Sequence, residues 1–144
     1  MALNKILQGM LNDFKKDYIF ESLGESREFE YMVNYLLVTK FHPDAFNDKG
    51  DLDGVVVDEK SQFGLDAIVF VINGNLVLSK DDISIYAKSK KLDVDILFIQ
   101  TKIEEKCETG DLLKTIQATK NFLINFDAIT EKNDNILNAK DIYE

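Results

Sequence analysis

Internal disulfides, zinc centres and membrane-spanning segments are beyond what this sequence can build. Its single cysteine, Cys107, cannot form an internal disulfide, and with one histidine, His42, it cannot complete a zinc site. No apolar run approaches the roughly 20 residues that span a bilayer. The N-terminal stretch MALNKILQGMLNDFKK keeps charges among its apolar positions and lacks the core of a signal peptide. We therefore expect a cytoplasmic protein with no membrane partner.

Basic residues are scarce as well. The chain has 17 lysines and arginines against 26 acidic residues, which gives a formal net charge of −9. Proteins that hold nucleic acid through its phosphates usually carry a basic patch, so tight nonspecific DNA binding by this piece alone is not expected. The acidic balance fits divalent-metal binding better, and it fits plain solubility best of all.

Two common kinds of catalytic motif are missing. Neither G-x-x-x-x-G-K-[ST] nor G-x-G-x-x-G occurs, so nucleotide binding by a glycine-rich loop has no support. No serine or cysteine stands in a nucleophile context with a plausible histidine. We expect His42, beside Pro43, to be an ordinary surface residue, and nothing in the sequence marks Cys107 as reactive.

The remaining pattern is that of one domain in which helices and strands alternate. The 144 residues suffice for one domain with a core and are too few for two comfortable ones. Asn73-Gly74 is the dipeptide that best fits a type I′ hairpin turn. The order of elements predicts an α/β or α+β fold with a mixed sheet. Four helices are predicted: one at 3–20, a second that begins at a serine cap and ends before His42, a third at 80–91 and a fourth at 110–127. Strands are predicted at 55–57, at 65–79 (the hairpin) and at 93–102. A loop is predicted at 46–54, and the tail is polar with weak helical character.

Polar side chains interrupt two apolar strands. DVDILFIQTK (93–102) ends so that Gln100 and Lys102 share one strand face while Thr101 points the other way. Asp66 begins the apolar strand in QFGLDAIVFVI, where a carboxylate is expensive to bury unless it is paired or bound to metal. If the two strands are neighbours, Asp66, Gln100 and Lys102 converge into two oxygens for a divalent cation and an ammonium beside them. Each residue could instead be structural: a turn cap, a backbone partner, and a lysine at a strand end.

These segments resemble a known nuclease core. GLDAI…FIQTK is similar to the core of the PD-(D/E)XK nuclease superfamily, in the Q-x-K variant of Mrr-like restriction enzymes. The longer string FEYMVNYLL…GLDAIVFVINGNLV…DILFIQTK resembles the N-terminal region of the AIPR family of abortive phage-infection proteins, over roughly residues 26–127. The resemblance implies a restriction-endonuclease-like mixed β-sheet flanked by helices.

The same resemblance implies a role for each residue of the motif. Asp66 would bind Mg²⁺, or Mn²⁺ in its place. Gln100 would replace the usual carboxylate as a ligand through its amide oxygen, and Thr101 would offer its backbone carbonyl. Lys102 would orient the attacking water and stabilise charge on the phosphate. Glu30, on the first core helix, would complete the metal site.

Other carboxylates remain open as ligands. Helical periodicity places Glu28 and Glu30 about 100° to either side of the buried centre of their helix. Both therefore border the core, and the choice of Glu30 rests on the resemblance. Asp53 and Asp58 are candidate extra ligands near the strand before Asp66, and their default interpretation is a solvated turn.

The leading functional hypothesis is the nuclease-like domain of a phage-defence protein, which hydrolyses DNA phosphodiester bonds with Mg²⁺. One alternative is a catalytically inactive module that keeps the fold for binding or assembly, because Gln100 removes a negative charge from the metal site. Another is an acidic inhibitor that mimics nucleic acid, which the charge of −9 would suit.

The C-terminal tail carries a last expectation. The resemblance implies a further strand after the helix at 110–127, and NILNAKDIYE is too polar to supply a buried strand. We therefore expect residues 1–144 to be a single nuclease-like domain that forms the N-terminal part of a longer protein. The next segment would add the last strand and a basic surface. Without it, the sheet would have an unprotected edge that favours a homodimer.

Overall fold

The fold is given by a computed structural model that describes residues 4–18, 24–47, 49–57, 64–86, 88–89, 91–101, 109–129 and 134–144. Helices and strands both occur in these ranges, which confirms the predicted α/β composition. The helices are α1 (Lys5–Tyr18), α2 (Glu25–Phe41), α3 (Lys49–Gly54), α4 (Lys80–Ile83), α5 (Thr109–Ile124) and α6 (Asp134–Tyr143). The strands are β1 (Ala67–Ile72), β2 (Asn75–Val77) and β3 (Val94–Ile99), and short 3-10 turns cover Ser84–Tyr86 and Phe126–Ala128.

Strand β1 forms the centre of the sheet, and all six of its residues are buried. Successive side chains on a strand point to opposite faces. The odd-numbered residues of β1 join an apolar cluster with α1 and α2, and the even-numbered residues join a second cluster with α5 and α6. The described residues therefore form three layers, with helices on both faces of the sheet. None of the helices in these ranges is long and apolar enough to cross a membrane.

The strand order is β2-β1-β3, and both pairings are antiparallel. The sheet of the described residues is thus antiparallel throughout, whereas the sequence predicted a mixed sheet. Asn73 and Gly74 join β1 to β2 with φ angles of 51° and 82°, as a type I′ turn requires, which confirms the predicted hairpin. On its other side β1 pairs with β3 from Ala67 opposite Ile99 to Ile72 opposite Val94. Within the described ranges β3 has no second strand partner and is an edge.

Four predicted elements differ from the structure. Residues 49–54 were expected in a loop but form α3, because the fully buried Leu52 anchors this turn in the core. Residues 55–57 make only one bridge, between Val56 and Ala67, instead of a strand. The helix predicted at 80–91 ends at Ile83 and continues as a 3-10 turn. The polar tail forms α6, whose buried Ile136, Ala139 and Ile142 recur at three-residue spacing and so lie on one helical face.

Candidate functional site at the end of β3

Asp66 lies immediately before β1, at the end of the sheet where β3 finishes. It is 4% exposed, and its Oδ2 accepts a hydrogen bond of 2.6 Å from the backbone N–H of Thr101. Its own N–H donates to the carbonyl of Ile99 at 2.8 Å, and its carbonyl accepts from the N–H of Val57 at 2.9 Å. The carboxylate is therefore held against the strand end that continues into the Q-x-K sequence.

Strands β1 and β3 are neighbours, as expected, and this pairing places Asp66, Gln100 and Thr101 at one end of the sheet. Gln100 is exposed and Thr101 is half-buried, which agrees with their expected alternation. The Oγ1 atom of Thr101 is buried and has no hydrogen-bond partner among the described residues. Lys102 lies outside the described residues, as do Asp58 and Cys107. The convergence of Lys102 with Asp66 stays a prediction.

Gly64 brings the segment before Asp66 into close contact with α5. Its φ angle is +97°, a conformation that L side chains rarely adopt, and a Cβ atom there would lie 2.9 Å from the carbonyl oxygen of Lys114. Glycine is needed both for the backbone angle and for this approach. The path of the chain into Asp66 is thus fixed from the α5 side as well as by β3.

A second group of contacts, made by α2 and α6, holds residues 53–57, which in turn contact the backbone of Asp66. Tyr31 Oη donates to Asp53 Oδ1 at 2.5 Å. Asn135 Nδ2, on α6, donates to the backbone carbonyls of Asp53 and Val56 at 2.9 and 2.7 Å. The next residue, Val57, bonds the carbonyl of Asp66. Asp53, a candidate extra ligand, therefore serves a structural contact, and Asn135 gave no signal in the sequence because it stands in a polar tail.

The two glutamates of α2 have different surroundings. Glu28 is 3% exposed and forms an ion pair of 3.0 Å with Lys15 of α1. Glu30 is partly buried and forms an ion pair of 3.3 Å with Arg27. Glu28 thus links the two helices, while Glu30 lies beside Tyr31, on the helix that contacts Asp53. The ion pair of Glu30 thus lies within α2, and its role as a ligand stays a prediction.

The hydroxyl of Tyr31 is the group whose ionisation this cluster perturbs. Burial is the largest cause that raises the pKa of Tyr31 above its usual range, and the hydrogen bond to Asp53 is the next. The charges of Asp53 and Glu30 act in the same direction, while Arg27 opposes them. The neutral hydroxyl is therefore the stable form, and it remains a donor to the Asp53 carboxylate at neutral pH.

The groups at the end of β3 that could bind a metal ion all do so through oxygen. They are the carboxylate of Asp66, the amide oxygen of Gln100 and the backbone carbonyl of Thr101, which are hard ligands of the kind that Mg²⁺ and Mn²⁺ accept. Across the ranges that the structure describes, no three His, Cys, Asp or Glu residues cluster in a way that could hold a metal ion. A cation here would depend on the neutral ligands as much as on Asp66.

Comparison with known proteins identifies no relative. No protein-family model matches the chain, and neither a curated protein nor a solved structure shows significant similarity to it.

Proposed function

We propose that the chain is the Mg²⁺-dependent, nuclease-like domain of an abortive-infection phage-defence protein and that it hydrolyses phosphodiester bonds in DNA. The observation that supports this most is the hydrogen bond from the Thr101 N–H to Asp66 Oδ2, because it sets a buried carboxylate against the Q-x-K sequence. The phage-defence setting rests on the sequence resemblance alone.

Each residue of the site would have a distinct task. Asp66 and Gln100 would hold the cation, with the Thr101 carbonyl as a third oxygen. The cation, when bound, would polarise the phosphate and lower the pKa of a coordinated water. Lys102 would stabilise the charge that develops on the phosphate.

Asp66→Asn is the variant that separates a metal-binding role from a structural one. The amide oxygen of asparagine can still accept the Thr101 N–H, so the fold should persist, while the lost negative charge weakens cation binding. We expect Mg²⁺-dependent cleavage of plasmid DNA to fall by about 100-fold or more, with an unchanged far-UV circular dichroism spectrum. Lys102→Ala should lose a similar factor. Equal cleavage by the wild type and both variants would assign the activity to a contaminant.

Gln100→Glu is the complementary gain-of-function variant. It restores the carboxylate of the superfamily motif at an exposed position, and it should raise Mg²⁺ affinity because a charged ligand replaces a neutral one. Gln117→Glu, at an exposed glutamine of α5, is the matched control for the added charge. Isothermal titration with Mn²⁺ measures both variants, and equal affinities would argue against Gln100 as a ligand.

A catalytically inactive binding or assembly module is the second candidate. Two observations favour it: Asp66 already serves a backbone contact at the end of β3, and Gln100 stands where the superfamily carries a carboxylate. This alternative expects Asp66→Asn to leave Mn²⁺ binding unchanged. Cleavage of plasmid DNA by the wild type, lost in Asp66→Asn, would therefore exclude this alternative.

A further inference from the structure

Helix α5 carries apolar side chains on two opposite sides. One side packs in the core, where Ala118 and Phe122 are buried and the Phe122 ring meets Phe98 of β3 edge-on at a centroid separation of 6.0 Å. Four aliphatic residues on the other side are each between 52% and 73% exposed: Leu112, Leu113, Ile116 and Ile124. An apolar stripe along a helix is normally packed against another element. Among the described residues nothing covers the exposed side, which we call the outer face of α5.

The outer face has a symmetric pattern. Leu112-Leu113 form an apolar pair near the N-terminal end of α5, and Leu123-Ile124 form another near the C-terminal end, with Leu123 partly buried against the core. Ile116 and Lys120 lie between the two pairs. These six positions are arranged evenly about position 118. A shallow groove of about 390 Å³ lies along the C-terminal half of this side, from Thr115 to Ile124. An interface between two identical chains around a two-fold axis needs this kind of self-complementary spacing.

We propose that the outer face of α5 is the interface between two copies of this chain, with the two α5 helices packed antiparallel. Leu112-Leu113 of one copy then pack on Leu123-Ile124 of the other. The methylene stem of Lys120 lies over Ile116 of the second copy, with its ammonium group in solvent. A parallel arrangement would instead set Lys120 directly opposite its counterpart, so like-charge repulsion favours the antiparallel one.

Charge also indicates where two such chains can meet. Each copy has a net charge of −9, so two copies repel each other over most approaches. The six outer-face positions carry no acidic residue and a single lysine. This surface therefore lets two acidic chains approach without setting carboxylates against each other.

The exposed area sets the expected strength of the dimer. Four aliphatic side chains that are each more than half exposed present on the order of 400 Å² of apolar surface, which is the size of patch that marks interaction sites. A stable interface buries about 800 Å² from each partner. The outer face supplies about half of this, so we expect a reversible dimer that dissociates on dilution.

Sedimentation equilibrium of the full chain over a wide concentration range is the first test. The mean mass should rise from 16.5 kDa toward that of a dimer. Leu113→Lys should weaken association by about 100-fold, because each dimer carries the change twice at a buried apolar contact. Leu137→Lys, at an exposed leucine of α6, is the matched control and should leave the association unchanged. A monomer at every concentration, or equal losses in both variants, would overturn the proposal.

Cross-linking tests the antiparallel arrangement. In a Cys107→Ser background, a mixture of Leu112→Cys and Leu123→Cys chains should form disulfide-linked dimers on mild oxidation. Leu112→Cys chains alone should not, because antiparallel helices hold the two copies of residue 112 far apart. Cross-linking of residue 112 to itself would refute the antiparallel interface. The outcome is independent of any nuclease activity.

Discussion

Removal of the Asn135 side chain should weaken the candidate metal site without touching a ligand. Asn135 Nδ2 donates to the carbonyls of Asp53 and Val56 at 2.9 and 2.7 Å. Both carbonyls precede Val57, whose N–H donates to the carbonyl of Asp66. Asn135→Ala removes both hydrogen bonds, each with a net contribution of about 1 kcal/mol. We therefore expect a loss of about 2 kcal/mol in the free energy of unfolding, or about 6 °C in Tm for a domain of this size.

The same variant should also reduce metal affinity. Side chains that orient the ligands of a metal typically change affinity by about 10-fold or more when they are removed. We expect the Kd for Mn²⁺, measured by isothermal titration on the folded variant, to rise by about that factor. Gln100→Glu in the Asn135→Ala background should recover part of the affinity, because it adds a charged ligand and leaves the missing contact unrepaired.

Asn138→Ala is the matched control on the same helix. Asn138 Nδ2 donates to the backbone carbonyl of Leu78, which follows β2 and is remote in sequence from Asp66. This variant should cost about 1 kcal/mol of stability and leave Mn²⁺ affinity unchanged. If both variants lose affinity in proportion to their lost stability, Asn135 acts only through the fold, and the positioning argument is wrong.

Three further predictions concern the scaffold. Gly64→Ala should destabilise the protein by more than about 2 kcal/mol in urea unfolding, because the backbone angle is strained for alanine and the new Cβ would meet a carbonyl of α5; a loss below 0.5 kcal/mol, about the effect of an ordinary surface change, would refute this. Lys15→Met should cost about 1–2 kcal/mol, since it leaves the buried Glu28 without this ion pair, and adding Glu28→Gln should recover part of the loss in a double-mutant cycle; strict additivity would contradict the coupling. The raised pKa of Tyr31, caused first by burial and then by its hydrogen bond to Asp53, means that the unfolded chain loses the tyrosine proton before the folded one does. Stability should therefore fall as the pH rises above about 10, less steeply in Tyr31→Phe, and equal slopes would refute the assignment.

The sequence predicted those elements that a short local pattern of residues defines. The Asn73-Gly74 turn could be recognised because few residues adopt its positive φ angles. The apolar continuity of the flanking runs predicted β1 and β3. Both α3 and α6 were underestimated, because each depends on a few apolar residues that contact the core, such as Leu52 in α3. Local composition, rich in Asn, Asp and Gly, gives no sign of that burial.

The candidate site could likewise be predicted from the sequence only in part. The spacing within the Asp66 and Gln100 segments, together with the resemblance, predicted that they meet, and the structure shows them at one end of the sheet. The support from Asn135 could not be predicted, since its contacts join residues 79 and 82 positions apart. Nor could the sequence assign Asp53, whose contact with Tyr31 depends on how α2 and α3 pack.

Strand β1 carries a polar side chain just beyond each of its ends, and both of these side chains bind residues that border β3. At the turn, the Asn73 N–H donates to the Asp93 carbonyl and the Asp93 N–H donates to Asn73 Oδ1, both at 2.9 Å. At the other end, Asp66 accepts the Thr101 N–H. A slide of β3 by one residue would break both sets of bonds and turn its apolar side chains to the wrong face. The two side chains therefore fix the register of β3 at both ends of β1, about 23 Å apart. A change in the hairpin turn could therefore shift β3 relative to β1 and misplace Gln100, although every candidate ligand would still be present.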